Sequence, residues 1–405
     1  MKSDIDALME KKDLDAIMVV GDAQNNPPMY YLTGGGHVNS AILIKKRNEE
    51  AILFCNIMER DEAAKSGLTV VPMKYSPMEM FLNETGRQAL VDAGITSGRM
   101  GVYGHTNISI TLAIMDHLNQ ALPGLAFVGE GINDNIFSSA MESKDQAEIA
   151  RIRKMGAVTT EVVGLTADYL TSCDVREDEV LLKEDRTPLT VADVKQKINL
   201  WLAERSAVPS VGYIFAIGHD AGVPHSQGNP ADLLRLGQTI IFDIYPQEQG
   251  GGYFYDFTRT WSLGYAKPEA QELYDQVKEI YNIVSDKISM NVSFKEYQRI
   301  VCQYFEAKGH QTPLTVDLPV EGYVHSLGHG LGLNIHERPG SRLSSPDENI
   351  LKPGVVITIE PGLYYPEKGM GFRIEDTYWV RPDGKIELLA EYPYDFVLEM
   401  KKWKK

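Results

Sequence analysis

The chain has 405 residues, enough for two or three domains and a large buried core. Apolar residues make up 43% and charged residues 24%, an ordinary globular balance, and the formal net charge is −16. That acidic surface repels polyanions, so neither nucleic acid nor anionic membrane is expected as a partner.

The three cysteines, Cys55, Cys173 and Cys302, are far apart and show no CxxC spacing. This argues against a disulfide framework and against a thiolate zinc site. The N-terminal stretch MKSDIDALMEKKDLD is charged throughout, and no apolar run approaches the ~18 residues of a membrane span. A cytoplasmic location is expected.

Residues 1–135 alternate short strands and helices. DAIMVV, SAILIKK, EAILFC and RMGVYG read as strands, and the segments around Asp61 and over Ile110–Leu122 read as helices. This is an α/β domain without a catalytic cluster of its own. A second domain, residues 136–405, opens with a capping-box pattern at Ser143 and Gln146. Ile149, Ile152, Met155, Val158, Val162 and Leu165 then mark a long amphipathic helix. Another helix begins near Thr190, with Val194, Ile198, Trp201 and Leu202 on one face. The strand QTIIFDIYP, a Gly-rich turn and YFYDFTRTW follow. The order then repeats. Pro268 opens a helix with Leu273, Val277, Ile280, Val284 and Ile288 on one stripe, and Ser293 and Glu296 are placed to cap the next. After a histidine-rich segment come GVVITIEPG, a turn and MGFRIEDTYWV. Each half is two helices and a hairpin.

Four carboxylates interrupt otherwise apolar hairpin arms. Asp243 and Asp256 flank the first turn symmetrically about Gln249 and Gly250, and Glu360 and Glu375 flank the second. Residues symmetric about a turn face each other across the ladder at about 5 Å, where like charges repel. Burying four such groups unpaired costs on the order of several kcal/mol each, and divalent cations would pair them. Oxygen ligands with one imidazole suit Mn²⁺, Co²⁺, Fe²⁺ or Zn²⁺. His325, His329 and His336 fall within twelve residues among Gly328, Gly330 and Gly332, glycines that allow close backbone approach and positive φ. His225, in the loop GVPHSQGN, is a weaker candidate.

The segments PHSQGN, FDIYPQEQGGGYFYDFTRTW, GHGLGLNIHERP, TIEPG and FRIEDT resemble the metallopeptidase family of methionine aminopeptidase, aminopeptidase P, prolidase and creatinase. The resemblance covers about residues 140–400. The α/β domain, with MYYLTGG, is similar to that of the prolidase, aminopeptidase P and creatinase branch. It implies an α+β "pita-bread" catalytic domain, two αβ halves related by a pseudo-twofold, behind the α/β N-terminal domain. It also implies five ligands, Asp243, Asp256, His329, Glu360 and Glu375, holding two divalent ions, Mn²⁺ first, with Asp256 and Glu375 bridging. His225 and His336 would flank the substrate and stabilise the oxyanion. His325 would lie near the residue after the scissile bond. Arg373 would support the ligands or meet a substrate carboxylate. The family's first acid pair is usually two residues closer together; a lengthening by two keeps both carboxylates on one sheet face.

The reaction so implied is metal-assisted hydrolysis before proline, in Xaa-Pro dipeptides or at the N-terminus of Xaa-Pro peptides, with Glu360 carrying the proton to the leaving nitrogen. The expected partners are a small peptide with proline second and another copy of the chain in a homodimer. A creatinase-like hydrolase of a small C–N compound and a metal-free binding module on the same fold are the alternatives. Members of either kind depart from the full ligand set, whereas here all five positions carry metal-binding side chains.

Overall fold

The computed structural model describes residues 1–132 and 134–403. Its contacts separate Met1–Glu142, together with Gln249–Gly252, from residues 143–248 and 253 onward.

The first unit is built on a six-stranded mixed sheet. The strand Ala16–Gly21, buried along its whole length, pairs antiparallel with Ala41–Lys46 and parallel with Ser97–Tyr103. Ile52–Asn56 lies beyond Ala41–Lys46. These four strands are the apolar runs of the sequence, and the helices Arg60–Ala64 and Ile108–Ala121 form where expected. Two further strands, Thr69–Met73 and Gly124–Val128, form the outer edges. Edge strands are half solvated, so TVVPM lacks a continuous apolar signal, and Pro72 is tolerated where a ladder bond is missing anyway. Within this unit the carbonyl of Gly250 accepts from the Asn25 backbone N–H at 3.3 Å.

The second unit repeats its architecture. Helices Gln146–Ser172 and Val191–Glu204 precede the hairpin of Thr239–Ile244 and Phe257–Leu263. Helices Pro268–Lys287 and Phe294–Ala307 precede the hairpin whose arms are Val356–Ile359 and Asp376–Val380. Leu273, Val277, Ile280 and Val284 pack with Val301 and Phe305 against Ile357, Ile359 and Phe372. Two expected caps differ. The box at the first helix is Asp145 and Glu148, not Ser143 and Gln146, because Ser143 is held extended in a bridge with Val355. Ser293 occupies the N-cap of Phe294–Ala307, but its hydroxyl has no partner, and Glu296 turns to Arg299 instead.

The two hairpins meet edge to edge. Thr258 and Glu375 exchange both backbone hydrogen bonds, at 3.3 and 3.1 Å. Arg259 secures this seam: its guanidinium donates to the carbonyls of Thr258 and Glu375, both at 3.0 Å, and pairs with Asp376 at 2.9 Å. Tyr281 and Tyr394 also donate to Asp376. Both charges are buried, so removing one leaves the other uncompensated. Arg259→Met is therefore expected to cost about 3–5 kcal/mol, read as a lower urea midpoint. A variant with the wild-type midpoint would show that the pair does not hold the seam.

Candidate metal centre

The seam brings the acidic residues of both hairpins together. In the second hairpin, the ladders on either side share one register, Ile359 opposite Asp376 and Gly362 opposite Arg373. Glu360 and Glu375 thus stand across from each other as expected. The first hairpin differs. Asp243 stands opposite Thr258, and Asp256 is displaced by two residues along its arm. The turn centres on Gly250 and Gly251, both at φ +87°, rather than between Gln249 and Gly250. Two adjacent glycines take those torsions without steric cost, and Gln249 would not. A displacement of two preserves sheet parity, so both carboxylates remain on one face.

The histidine segment runs beside the arm Val356–Ile359. His329 C=O accepts from Thr358 N–H at 2.9 Å, and Leu327 C=O accepts from Glu360 N–H at 2.8 Å. Gly328 and Gly330 permit this approach: a Cβ on Gly328 would meet Thr358 O at 2.1 Å, and one on Gly330 would meet Arg338 O at 2.0 Å. Close approach is their role, since neither they nor Gly332 adopts positive φ. Gly330 and Glu337 bridge and close the turn between them, which sets the rings of His329 and His336 at 4.2 Å and 84°. Lys144 buries an ion pair of 2.7 Å on Glu337, beside His336.

His329 faces its Nδ1 to the carbonyl of Gly330 at 3.0 Å. That contact fixes Nδ1–H as the donor and leaves the Nε2 lone pair pointing at Asp256, 3.5 Å away, and Glu360, 3.4 Å away. Burial, helped by the neighbouring His336, holds the His329 pKa down at about 3, so the ring is neutral at neutral pH. A lone pair facing two carboxylates is repulsive unless a cation lies between them. Asp256, His329 and Glu375 each offer a ligand atom within 4.8 Å of the others. Asp243 Oδ1 and Glu375 Oε1 are buried without a hydrogen-bond partner among the described residues. The donor set fits divalent cations.

The acids respond to this crowding. Burial pushes Glu360 up to about 8, with Asp243 adding to the shift. Burial and the neighbouring carboxylates raise Asp256 and Glu375 well above the ordinary range. A folded-state pKa above the unfolded value means that the unfolded chain gives up its protons first as pH rises. The stability that these acids contribute in the ion-free protein is therefore fully present below the ordinary carboxylate range and is lost as pH climbs to about 8. Its melting temperature is expected to fall over that window, and excess Mn²⁺ is expected to flatten the fall. A flat ion-free profile would contradict the clustering.

The remaining expected residues divide into buried and exposed. His325 is fixed at both nitrogens, Nδ1 on the Ser326 carbonyl at 2.7 Å and Nε2 on the Tyr364 hydroxyl at 2.8 Å. His225 and His336 are exposed, and a charge on His225 would oppose protonation of both His325 and His336. Arg373 is buried and committed to protein groups: Asp243 at 2.5 Å, the Tyr364 hydroxyl at 2.6 Å and Thr258 at 3.2 Å. Thr258 in turn donates to Glu375 at 2.7 Å. Sequence reasoning did not find Thr258 as a site residue, and offered Tyr364 only as a wall for a substrate ring. The alternation Asp256, Thr258, Thr260 along one strand face was the available signal for the first. The hydrogen bond of Tyr364 to His325 had no such signal, because it spans 39 residues.

Comparisons with known proteins bear on the family and the fold. Residues 150–382 match the family model described as metallopeptidase family M24, and residues 3–130 match that of the creatinase/prolidase N-terminal domain. The Xaa-Pro dipeptidase of Pyrococcus horikoshii is 26% identical over 380 residues, 94% of each chain. Among solved structures, an Xaa-Pro dipeptidase from Bacillus anthracis superposes with TM-score 0.77 at 20% identity, covering 98% of this chain and 99% of its own. An X-Pro aminopeptidase from Thermotoga maritima gives 0.75 at 21%, covering 95% and 97%. The fold is thus an α/β N-terminal domain followed by a pita-bread domain.

Proposed function

Because this chain belongs to metallopeptidase family M24, we propose that it hydrolyses the bond before proline, in Xaa-Pro dipeptides or at the N-terminus of Xaa-Pro peptides, with two divalent ions of which Mn²⁺ is favoured. The observation that carries the reading is the neutral His329 Nε2 aimed between Asp256 and Glu360, with Glu375 in reach. The names of the relatives supply the proline preference. The buried, unpaired cysteines fit a reducing cytoplasm. A homodimer is part of the proposal, and light scattering on the purified protein tests it.

Asp243, Asp256, His329, Glu360 and Glu375 would hold the ions. Bound divalent cations supply an activated water at neutral pH and draw charge from the scissile carbonyl. Arg373 occupies one oxygen of Asp243 and leaves Oδ1 free to ligate. Glu360, the least buried of the four acids, takes up the proton released on attack and passes it to the leaving nitrogen. His336, exposed beside His329, donates to the oxyanion.

The first test compares an Xaa-Pro dipeptide with an Xaa-Pro-Yaa tripeptide in the presence of Mn²⁺ or Co²⁺. Hydrolysis of neither would overturn the proposal, and the ratio of rates separates dipeptidase from aminopeptidase. A second test separates ligand from oxyanion partner. His329→Ala is expected to lose metal, whereas His336→Ala keeps it and loses about 10²–10³ in turnover. Equal metal loss in the two purified variants would reverse the assignment.

A further inference from the structure

The helix Phe294–Ala307 presents Phe294, Tyr297, Val301, Cys302 and Phe305 to the core, and among them lies the amide of Gln298, only 1% exposed. A primary amide in an apolar stripe is costly unless its donors and acceptors are used. Gln298 uses them on one short segment. Its Oε1 accepts from the Leu327 backbone N–H at 2.5 Å and from the Tyr323 hydroxyl at 3.0 Å. Its Nε2 donates to the His325 carbonyl at 3.2 Å and contacts Cys302 Sγ at 3.7 Å.

The three partners outside the helix are residues 323, 325 and 327, which bracket His325. This stretch belongs to no helix or strand, so its backbone groups have no ladder to satisfy them. The brace reaches two parts of the site. His325 passes from Tyr364 to Arg373 and so to Asp243. The carbonyl of Leu327, whose N–H Gln298 holds, receives the Glu360 backbone N–H at 2.8 Å. A hydrophobic residue at 298 would pack equally well in the stripe but would leave the His325 carbonyl and the Leu327 N–H unpaired.

We propose that Gln298 is a positioning residue of the reaction: its buried amide sets the backbone of the His325 loop, and through it the placement of the His325 ring beside Glu360. The proposal rests on the peptidase reading of the site. Gln298→Met and Gln298→Glu are compared, the second keeping both accepting bonds and replacing the donor to His325 and Cys302 by an acidic oxygen. Both are assayed as metal-loaded protein at a temperature below their measured melting points. Displacing a positioned group by about 1 Å costs on the order of 10²-fold, so kcat of Gln298→Met is expected to fall about 10–100-fold, with less change in KM and with unchanged metal content.

In a His325→Ala background, Gln298→Met is expected to lower kcat by less than about threefold, because the group it positions is gone. The imidazole resonances of His325, assigned by their loss in His325→Ala, are expected to shift in both Gln298 variants. That readout needs no substrate, so it stands even if the peptidase reading fails. A folded Gln298→Met or Gln298→Glu with wild-type kcat and unmoved His325 resonances would overturn the proposal. So would a Gln298→Met loss of the same size with and without His325.

Discussion

Stripping divalent ions with a chelator abolishes peptide hydrolysis, and returning Mn²⁺ or Co²⁺ restores it. This expected result follows from charge alone. Asp243, Asp256 and Glu375 are buried and Glu360 is nearly so, and the raised pKa values of Asp256, Glu360 and Glu375 record how strongly the cluster resists ionisation. Arg373 supplies one buried positive charge, and its shortest ion pair is spent on Asp243. One guanidinium does not neutralise four carboxylates, and His329 is held neutral. Cations must supply the balance for the acids to be ionised at neutral pH. The oxygen-rich set with one imidazole suits first-row divalent ions. Ion loss is also expected to lower the melting temperature, because binding to the folded state alone stabilises it by mass action. Full activity in exhaustively chelated protein would end the metallopeptidase reading of this chain.

The sequence made some of this legible because local pattern and tertiary outcome coincide. Strand periodicity and helix stripes need only neighbours along the chain, so the repeated order of two helices and a hairpin is readable directly. Carboxylates in buried strands are readable for the same reason: Asp243 breaks IIFDIY and Glu375 breaks FRIED, and a charge in an apolar run demands a partner. The register of the first hairpin was not legible. Counting to the midpoint assumes a symmetric turn, and the chain instead centres its turn on Gly250 and Gly251. Those glycines were visible, and their torsional freedom was the clue.

Contacts across many residues were the other blind spot. Resemblance placed Arg373 beside the ligands or a substrate carboxylate, but its ties to Asp243, Tyr364 and Thr258, at separations of 130, 9 and 115 residues, were not readable. The aromatic arm Tyr253–Phe257 shows the same limit. Like the arm Tyr364–Tyr365, it can on sequence either wall a ring pocket or pack the hairpin core, and Tyr253, Phe254, Tyr255, Phe257 and Tyr364 are all buried. Periodicity places a side chain on a face and does not say what covers that face.

Cleavage of Ala-Pro or Leu-Pro substrates with essentially no cleavage of the matching Xaa-Ala compounds is the second large expected effect. A bond to proline is a tertiary amide without an N–H, so an enzyme that reads substrate by backbone hydrogen bonding gains nothing there. Recognition must come from the free α-amine and from the ring. The acid cluster would provide for the amine only through the cations it holds. An N-acetylated Xaa-Pro peptide lacks that amine and is expected to resist cleavage. Alanine lacks the methylenes that complete the ring, and each missing methylene costs roughly 1–3 kcal/mol in a fitted site, so a loss of about 10²-fold or more is expected. The measurement is kcat/KM on Ala-Pro, Ala-Ala and N-acetyl-Ala-Pro with the same Mn²⁺-loaded protein. Similar values for the proline and alanine compounds would remove the proline preference and leave a metal-dependent peptidase of broader range. Rapid cleavage of the acetylated peptide would show that the amine is not the anchor, and the site would then have to hold its substrate by the ring and the scissile carbonyl alone.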